Sequence, residues 1–358
     1  MDNKNLIFIN EIFDYNKQSV ESAHSLGLNK WKGWWCAAGL RSLYIDFDGN
    51  VWRGTCTEGG WIGNINSVTG LSNGPELLQN KWVHCSLDVC SCGADMAVPK
   101  VKTHDLIDVY TNQDVQKKLN REFEVLKDPN IVFSDANKEY KSIIWDIGRL
   151  CNFDCSYCSK NSHNNYDPVK NLKYMMNVYN NINKFWNVKL PSNNFRRERL
   201  KFSITGGEPT VYKDYLPFVK KLKEDDQIIM TTTNGSNSTE YYKELAKYSD
   251  IAFSIHLKYV GVFGVDKFVN NAVAAAETTQ QGHLDDTSAK YNWIIVRIML
   301  DPGNLEIAKK VYASFTEELQ GFKNCIITVD LLHTADGDSH QLYEYSDEEI
   351  EWIERIHA

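Results

Sequence analysis

Six short apolar runs dominate the second half of this 358-residue chain: SIIWDI (142–147), LKFSIT (200–205), IIMTTT (228–233), IAFSIHL (251–257), WIIVRIML (293–300) and CIITVDLL (325–332). Each has the length of a strand and favours β-branched residues. Most are apolar almost throughout, as in parallel strands covered on both faces. Helix-period stretches lie between them. In the stretch after the fifth run, Leu305, Ala308, Tyr312, Phe315 and Leu319 share one face. Ser346 with Glu349 three residues on is a capping box that opens a final helix. Strand and helix in alternation predict an α/β fold, a parallel sheet or partial (βα)6 barrel over residues 140–358.

The first hundred residues read as a small, cysteine-rich, strand-poor module, joined to the barrel by a charged connector over 101–139. Leu43, Ile45 and Phe47 alternate ahead of Asp48-Gly49, a hairpin signal. Gly74-Pro75 marks the start of a short helix. No apolar run approaches the 18 residues of a membrane span. The first residues lack the basic start and cleavage site of a signal peptide. A cytoplasmic location is therefore expected, where thiols stay reduced and nine cysteines point to metal rather than disulfides. The net charge of −8 argues against a broad nucleic-acid surface and leaves room only for a local basic groove.

The first strand run leads directly into CNFDCSYC, with Cys151, Cys155 and Cys158 spaced C-x3-C-x2-C. Loops at the C-terminal ends of such strands carry the active sites of sheets and barrels. Three thiolates hold three corners of a four-iron cluster and leave one iron open to a ligand. A zinc loop with a distant fourth ligand, or buried structural thiols, would show the same spacing.

The motif after the second strand extends this pattern. C-x3-C-x2-C with Tyr157 before its last cysteine, followed by Gly206-Gly207-Glu208-Pro209, resembles the radical S-adenosylmethionine (SAM) enzymes over about residues 140–335. The resemblance implies that Cys151, Cys155 and Cys158 bind a 4Fe–4S cluster whose open iron chelates the amino and carboxylate groups of SAM. One electron then breaks a sulfur–carbon bond, and the resulting 5′-deoxyadenosyl radical abstracts hydrogen from a substrate. It implies that Tyr157, Gly206, Gly207, Glu208 and Pro209 contact SAM, with the Glu208 carboxylate and nearby backbone at the methionine ammonium. Thr232, in Thr232-Thr233-Asn234-Gly235, and Ser254 resemble positions at the ribose and carboxylate. Arg297 either meets the SAM carboxylate or pairs with Asp330. An external one-electron reductant, flavodoxin- or ferredoxin-like, is implied as partner.

Five more cysteines, Cys36, Cys56, Cys85, Cys90 and Cys92, precede the barrel. Cys36 in C-A-A-G, the hairpin, and Cys56 ahead of Gly63-Asn64-Ile65 resemble the auxiliary-cluster module called SPASM, or its half-size twitch form. That module normally follows the barrel, and its full form carries cysteines for two clusters. Here four of the five cysteines are expected to bind a second, auxiliary 4Fe–4S cluster. A structural zinc on His84, Cys85, Cys90 and Cys92 is the alternative. Trp31, Trp34, Trp35, Trp52 and Trp61 are expected to pack around these cysteines, the other reading being a stacking platform. Cys325 reads as a buried strand thiol, or as a hydrogen-atom donor if strand alternation points it inward. His256 and His333 are read as core histidines or substrate contacts. The chain closes soon after its sixth helix, so the N-terminal module or a partner is expected to cover the barrel floor.

SPASM-like modules accompany peptide and protein modification in much of the family, so the resemblance implies a peptide or protein side chain as substrate. The alternative is a nucleotide, sugar or other small metabolite. From a different class, a non-catalytic iron–sulfur electron carrier would need no Gly206–Pro209 motif.

Overall fold

A computed structural model describes residues 30–67, 71, 82–88, 90, 95, 98, 100–105, 107, 131–132, 140–158, 167–187, 199–285, 292–332 and 343–357. The chain start, the Gly74-Pro75 helix signal, Cys92, His333 and nearly all of the connector lie outside the described residues. The chain divides into two compact units: Met1–Ile144 with Asn177–Lys201, and Trp145–Met176 with Phe202–Ala358.

In the first unit, β1 (Trp35–Cys36), β2 (Ser42–Ile45), β3 (Asn50–Trp52), β4 (Trp61–Asn64), β5 (Val83–His84), β6 (Lys100–Val101) and β7 (Ile131–Val132) are all short. The predicted hairpin is β2–β3, antiparallel with Tyr44 opposite Trp52. Asp46 Oδ1 accepts from the N–H groups of Asp48 and Asn50, both at 2.9 Å, and Gly49 turns at φ 82°. β5, β1, β6 and β7 form a second antiparallel sheet in that order. The module is thus not strand-poor. Its strands run two to four residues, too short for period-two alternation to show in the sequence.

In the second unit the six expected strands all form. β8 (Tyr140–Asp146) and β9 (Arg199–Thr205) enter it at their C-terminal ends, followed in order by β10 (Ile228–Thr233), β11 (Asp250–His256), β12 (Ile294–Leu300) and β13 (Cys325–Leu331). The pairs from β10 to β13 are parallel. Among the described residues, seven α-helices join or follow the strands: α1 (Leu172–Asn187), α2 (Tyr215–Glu224), α3 (Thr239–Ala246), α4 (Leu257–Phe263), α5 (Val265–Asp285), α6 (Leu305–Leu319) and α7 (Asp347–His357). Every strand from β8 on leads to a helix, and the described strands do not close into a ring, which is the partial (βα)6 arrangement. None of the described helices is long and apolar enough to cross a membrane.

β12 shows how the sequence builds the two sheet faces. Ile294, Val296, Ile298 and Leu300 are fully buried, whereas Ile295, Arg297 and Met299 on the other face stay partly open. α6 buries Leu305, Ala308, Val311, Phe315 and Leu319. Val311 takes the inward place expected of Tyr312, whose ring lies edge-on to Trp352 instead. The α7 capping box forms as expected: Ser346 N–H donates to Glu349 Oε2 at 2.8 Å and Glu349 N–H to Ser346 Oγ at 3.4 Å.

Candidate active site

The cysteine loop leaves β8 alongside the Gly206–Pro209 turn that leaves β9. Gly207 N–H donates to Gly148 O at 2.7 Å and Glu208 N–H to Leu150 O at 2.8 Å. A Cβ on Gly206 would stand 2.6 Å from Gly148 O, and one on Gly207 2.3 Å from Leu150 O. The glycines therefore let two loops touch, backbone to backbone. The Arg149 N–H donates to Asp167 Oδ2 at 2.9 Å, which fixes the loop's entry.

Cys151 and Cys155 are half-buried and Cys158 is exposed, and all three thiols are free. The N–H of Phe153 reaches Cys151 Sγ at 3.4 Å, and Asn234 Nδ2 reaches it at 3.9 Å. Burial pushes the Cys151 thiol up to about 11. A hydrogen bond with Cys158 raises Cys155 and lowers Cys158, and burial adds to the rise at Cys155. Buried thiols without a nearby cation ionise when a metal supplies the charge. Among the described residues no three His, Cys, Asp or Glu side chains converge on a single-ion site.

The segment after β11 holds this loop from the other side, which the sequence did not reveal. Phe153 stacks on Tyr259 with centroids 3.7 Å apart and planes at 9°. The Asp154 N–H donates to the Tyr259 hydroxyl, and Lys258 Nζ donates to Asp154 O at 3.1 Å. His256 Nδ1 meets the Tyr157 hydroxyl and lies 3.6 Å from Cys155 Sγ. Burial lowers His256 to about 4, so it is neutral at pH 7. Of its two readings, the hydrogen-bonded histidine is the one seen.

Glu208 is fully buried. It accepts from Thr210 N–H at 2.9 Å, Thr210 Oγ1 at 2.7 Å and Thr233 Oγ1 at 2.9 Å, and from the Asn234 N–H. Burial pushes its pKa up against the pull of these donors. This carboxylate is thus hydrogen-bonded within the chain. It ties the turn after β9 to the turn after β10. Pro209 opens the one-turn 3₁₀ helix Pro209–Val211, which Glu208 caps. Asn234, quoted in the sequence motif without a role, joins the turn to the cysteine loop through Asn152 Oδ1 at 2.9 Å.

Thr232 and Ser254 are partly open positions of β10 and β11, and Ser254 lies opposite Arg297. Arg297 pairs with Asp330, the second of its two sequence readings. Arg297 is opposite Thr328 in the register, so Cys325, three residues earlier, falls on the other face of β13. Cys325 is half-buried there, short of the fully buried thiol expected, and burial pushes it up to about 12.

In the first unit, Cys36 sits opposite Val83 and Lys100 in the β1 register, and Cys85 follows β5 directly. Burial is the main cause that raises Cys36 and Cys56, with Cys85 adding to the rise at Cys36 and both Cys36 and Cys85 to that at Cys56. Cys90 is half-buried and, like the other three, in no disulfide. Trp31 and Trp34 pack edge-on at 5.2 Å, and Trp35 packs edge-on with His84 at 5.1 Å. Trp61 alone of the five tryptophans is mainly exposed.

Residues 145–279 match the radical SAM superfamily. The GTP 3',8-cyclase of Pasteurella multocida is 32% identical over 140 residues, 37% of this chain and 39% of that protein. That of Haemophilus ducreyi is 30% identical over 100 residues, 27% of each chain. The chain thus spans about two fifths or less of the curated relatives' length. Among solved structures, Streptococcus suis SuiB bound to S-adenosylmethionine aligns at a TM-score of 0.41 and 14% identity, covering 70% of this chain and 58% of that one. The superfamily's cofactors are a 4Fe–4S cluster and SAM. The segment that carries both the cysteine loop and the Gly206–Pro209 turn is thus the segment similar to the radical SAM superfamily.

Proposed function

We propose that this protein is a radical SAM enzyme whose cluster is held by Cys151, Cys155 and Cys158. The observation that carries the reading is the contact between the Gly206–Glu208 turn and the backbone of residues 148–150, which ties the two family motifs into one site. When bound, the cluster and SAM supply reductive cleavage of the sulfonium to a radical able to take hydrogen from a substrate. The chain's own residues position. Phe153, Tyr259 and the Lys258 ammonium fix the loop. Glu208 holds the turns after β9 and β10 together. Thr232 and Ser254 present hydroxyls on the partly open sheet face. Arg297 is neutralised by Asp330, which leaves SAM's carboxylate to other donors. An external one-electron donor of flavodoxin or ferredoxin type reduces the enzyme, in a cytoplasmic setting that keeps its thiols free.

The named relatives are GTP 3',8-cyclases, which supports a nucleotide or other small metabolite as substrate. The peptide reading rests on the cysteine-rich module alone. Cys36, Cys56, Cys85, Cys90 and Cys92 are proposed to supply a second iron–sulfur centre. Anaerobic protein given SAM, dithionite and a nucleoside triphosphate should form 5′-deoxyadenosine, and Cys155→Ala should not. Equal 5′-deoxyadenosine from both proteins would refute the assignment. An electron carrier would form none.

A further inference from the structure

The histidine that closes β11 stands where a capping side chain would serve the next helix. His256 is the last residue of β11 and the N-cap position of α4, yet its side chain makes no cap hydrogen bond. Ser, Thr, Asp or Asn at that place would accept from the helix's first N–H groups. The imidazole turns to the cysteine loop instead. Phe153 packs edge-on to the ring at 6.0 Å, and Tyr157 lies 5.7 Å away with planes 23° apart. These two side chains flank Cys155 in the loop. Nδ1 meets the Tyr157 hydroxyl and stands 3.6 Å from Cys155 Sγ, within reach of a hydrogen bond to sulfur.

The chemistry of the three groups sets the direction of these contacts. A cysteine that binds iron is a thiolate and has no proton to give. A tyrosine hydroxyl both donates and accepts, and a neutral imidazole carries one N–H. With the proton on Nδ1 the ring donates toward Cys155 Sγ, and the hydroxyl adapts as acceptor from the ring or as a second donor to sulfur. With the proton on Nε2, a ring lone pair faces the thiolate and the charge-assisted bond is lost. Hydrogen bonds to a ligand sulfur favour the more negative, reduced state of an iron–sulfur centre and so raise its reduction potential.

We propose that His256 is a positioning residue of the 151–158 centre, held as the Nδ1–H tautomer and donating to the Cys155 thiolate. It acts through that ligand and touches neither iron nor substrate. Its N–H raises the potential at which the centre takes an electron, which eases reduction by the external donor. The inference rests on the proposed cluster at Cys151, Cys155 and Cys158, and its test separates the two.

The test uses the full chain, labelled with ¹⁵N in its histidine rings, reconstituted anaerobically with iron and sulfide and then reduced. The signal of the 151–158 centre is the one missing from Cys151→Ala/Cys155→Ala/Cys158→Ala. Pulsed electron paramagnetic resonance should show a ¹⁵N coupling in that signal, lost in both His256→Leu and His256→Asn. In a redox titration of the same signal, the midpoint should fall in His256→Leu. It should stay near the parent in His256→Asn, whose side-chain N–H can take the place of Nδ1–H. A role in packing alone would not separate the two variants in this way. If the triple alanine variant lacks no iron signal that the parent has, the cluster itself is overturned and the His256 assignment with it. A 151–158 signal without histidine coupling, or a midpoint that does not fall in His256→Leu, or one that falls equally in both variants, overturns the assignment and leaves the cluster standing. Where one variant fails to load iron, the parent coupling and its loss in the other variant decide.

Discussion

Glu208 shows what a motif letter means once its neighbours are known. In the sequence its carboxylate reads as a partner for an ammonium. In the structure four N–H and O–H donors from Thr210, Thr233 and Asn234 already occupy it. The difference arises because a sequence motif names the residue without the rotamer, and two of the four donors come from another loop, 25 and 26 residues on. Glu208→Gln keeps the shape, but its amide nitrogen cannot accept from Thr210, Thr233 or Asn234. A cost of about 1–3 kcal/mol is expected from leaving a buried donor unpaired, measured as a lowered urea midpoint with unchanged m. A midpoint within about 0.5 kcal/mol of the parent would show that the clamp is dispensable. Gly206 and Gly207 tell the same story: their small size was legible, but the backbone they approach proved to be the cysteine loop.

At the scale of elements, the strands and the last helix were legible because their signals are local. All six apolar runs became strands within one or two residues, since alternation and β-branched content sit in consecutive positions. The short strands β1 to β7 were mostly missed, since pairing partners far along the chain create them. α4 was missed as a site element for a related reason: its Tyr259 and Phe263 act on Phe153 through space. The capping box of α7 was read correctly. Ser346→Ala removes the side-chain acceptor for the Glu349 N–H and one donor to the carboxylate, at a cost of about 1 kcal/mol. Burial pushes the Glu349 carboxyl up, but hydrogen bonds from the Ser346 and Gly303 N–H groups outweigh it, so its folded pKa is lowered. Its contribution is therefore full above the ordinary carboxylate range and is lost as pH falls through the lowered folded value. Thermal unfolding of Glu349→Gln should depend less on pH between about 5 and 3 than that of the parent. Identical pH dependence would remove this role.

At the scale of the whole molecule, the sequence carried the class of chemistry further than the substrate. The cofactor motifs lie in the segment shared with the radical SAM superfamily, while the residues that would choose a substrate have no comparable signature. The grouping of residues 177–201 with the N-terminal unit also leaves no mark in composition. Both units present free, partly buried thiols, so the chain is expected to take about eight irons in two four-iron clusters. The most direct test of the central claim is the electron paramagnetic resonance spectrum of the reduced, reconstituted protein before and after SAM is added. One of two cluster signals should shift, and that signal should be absent in Cys151→Ala/Cys155→Ala/Cys158→Ala. Spectra unchanged by SAM, in protein whose 151–158 loop is loaded with iron, would contradict it.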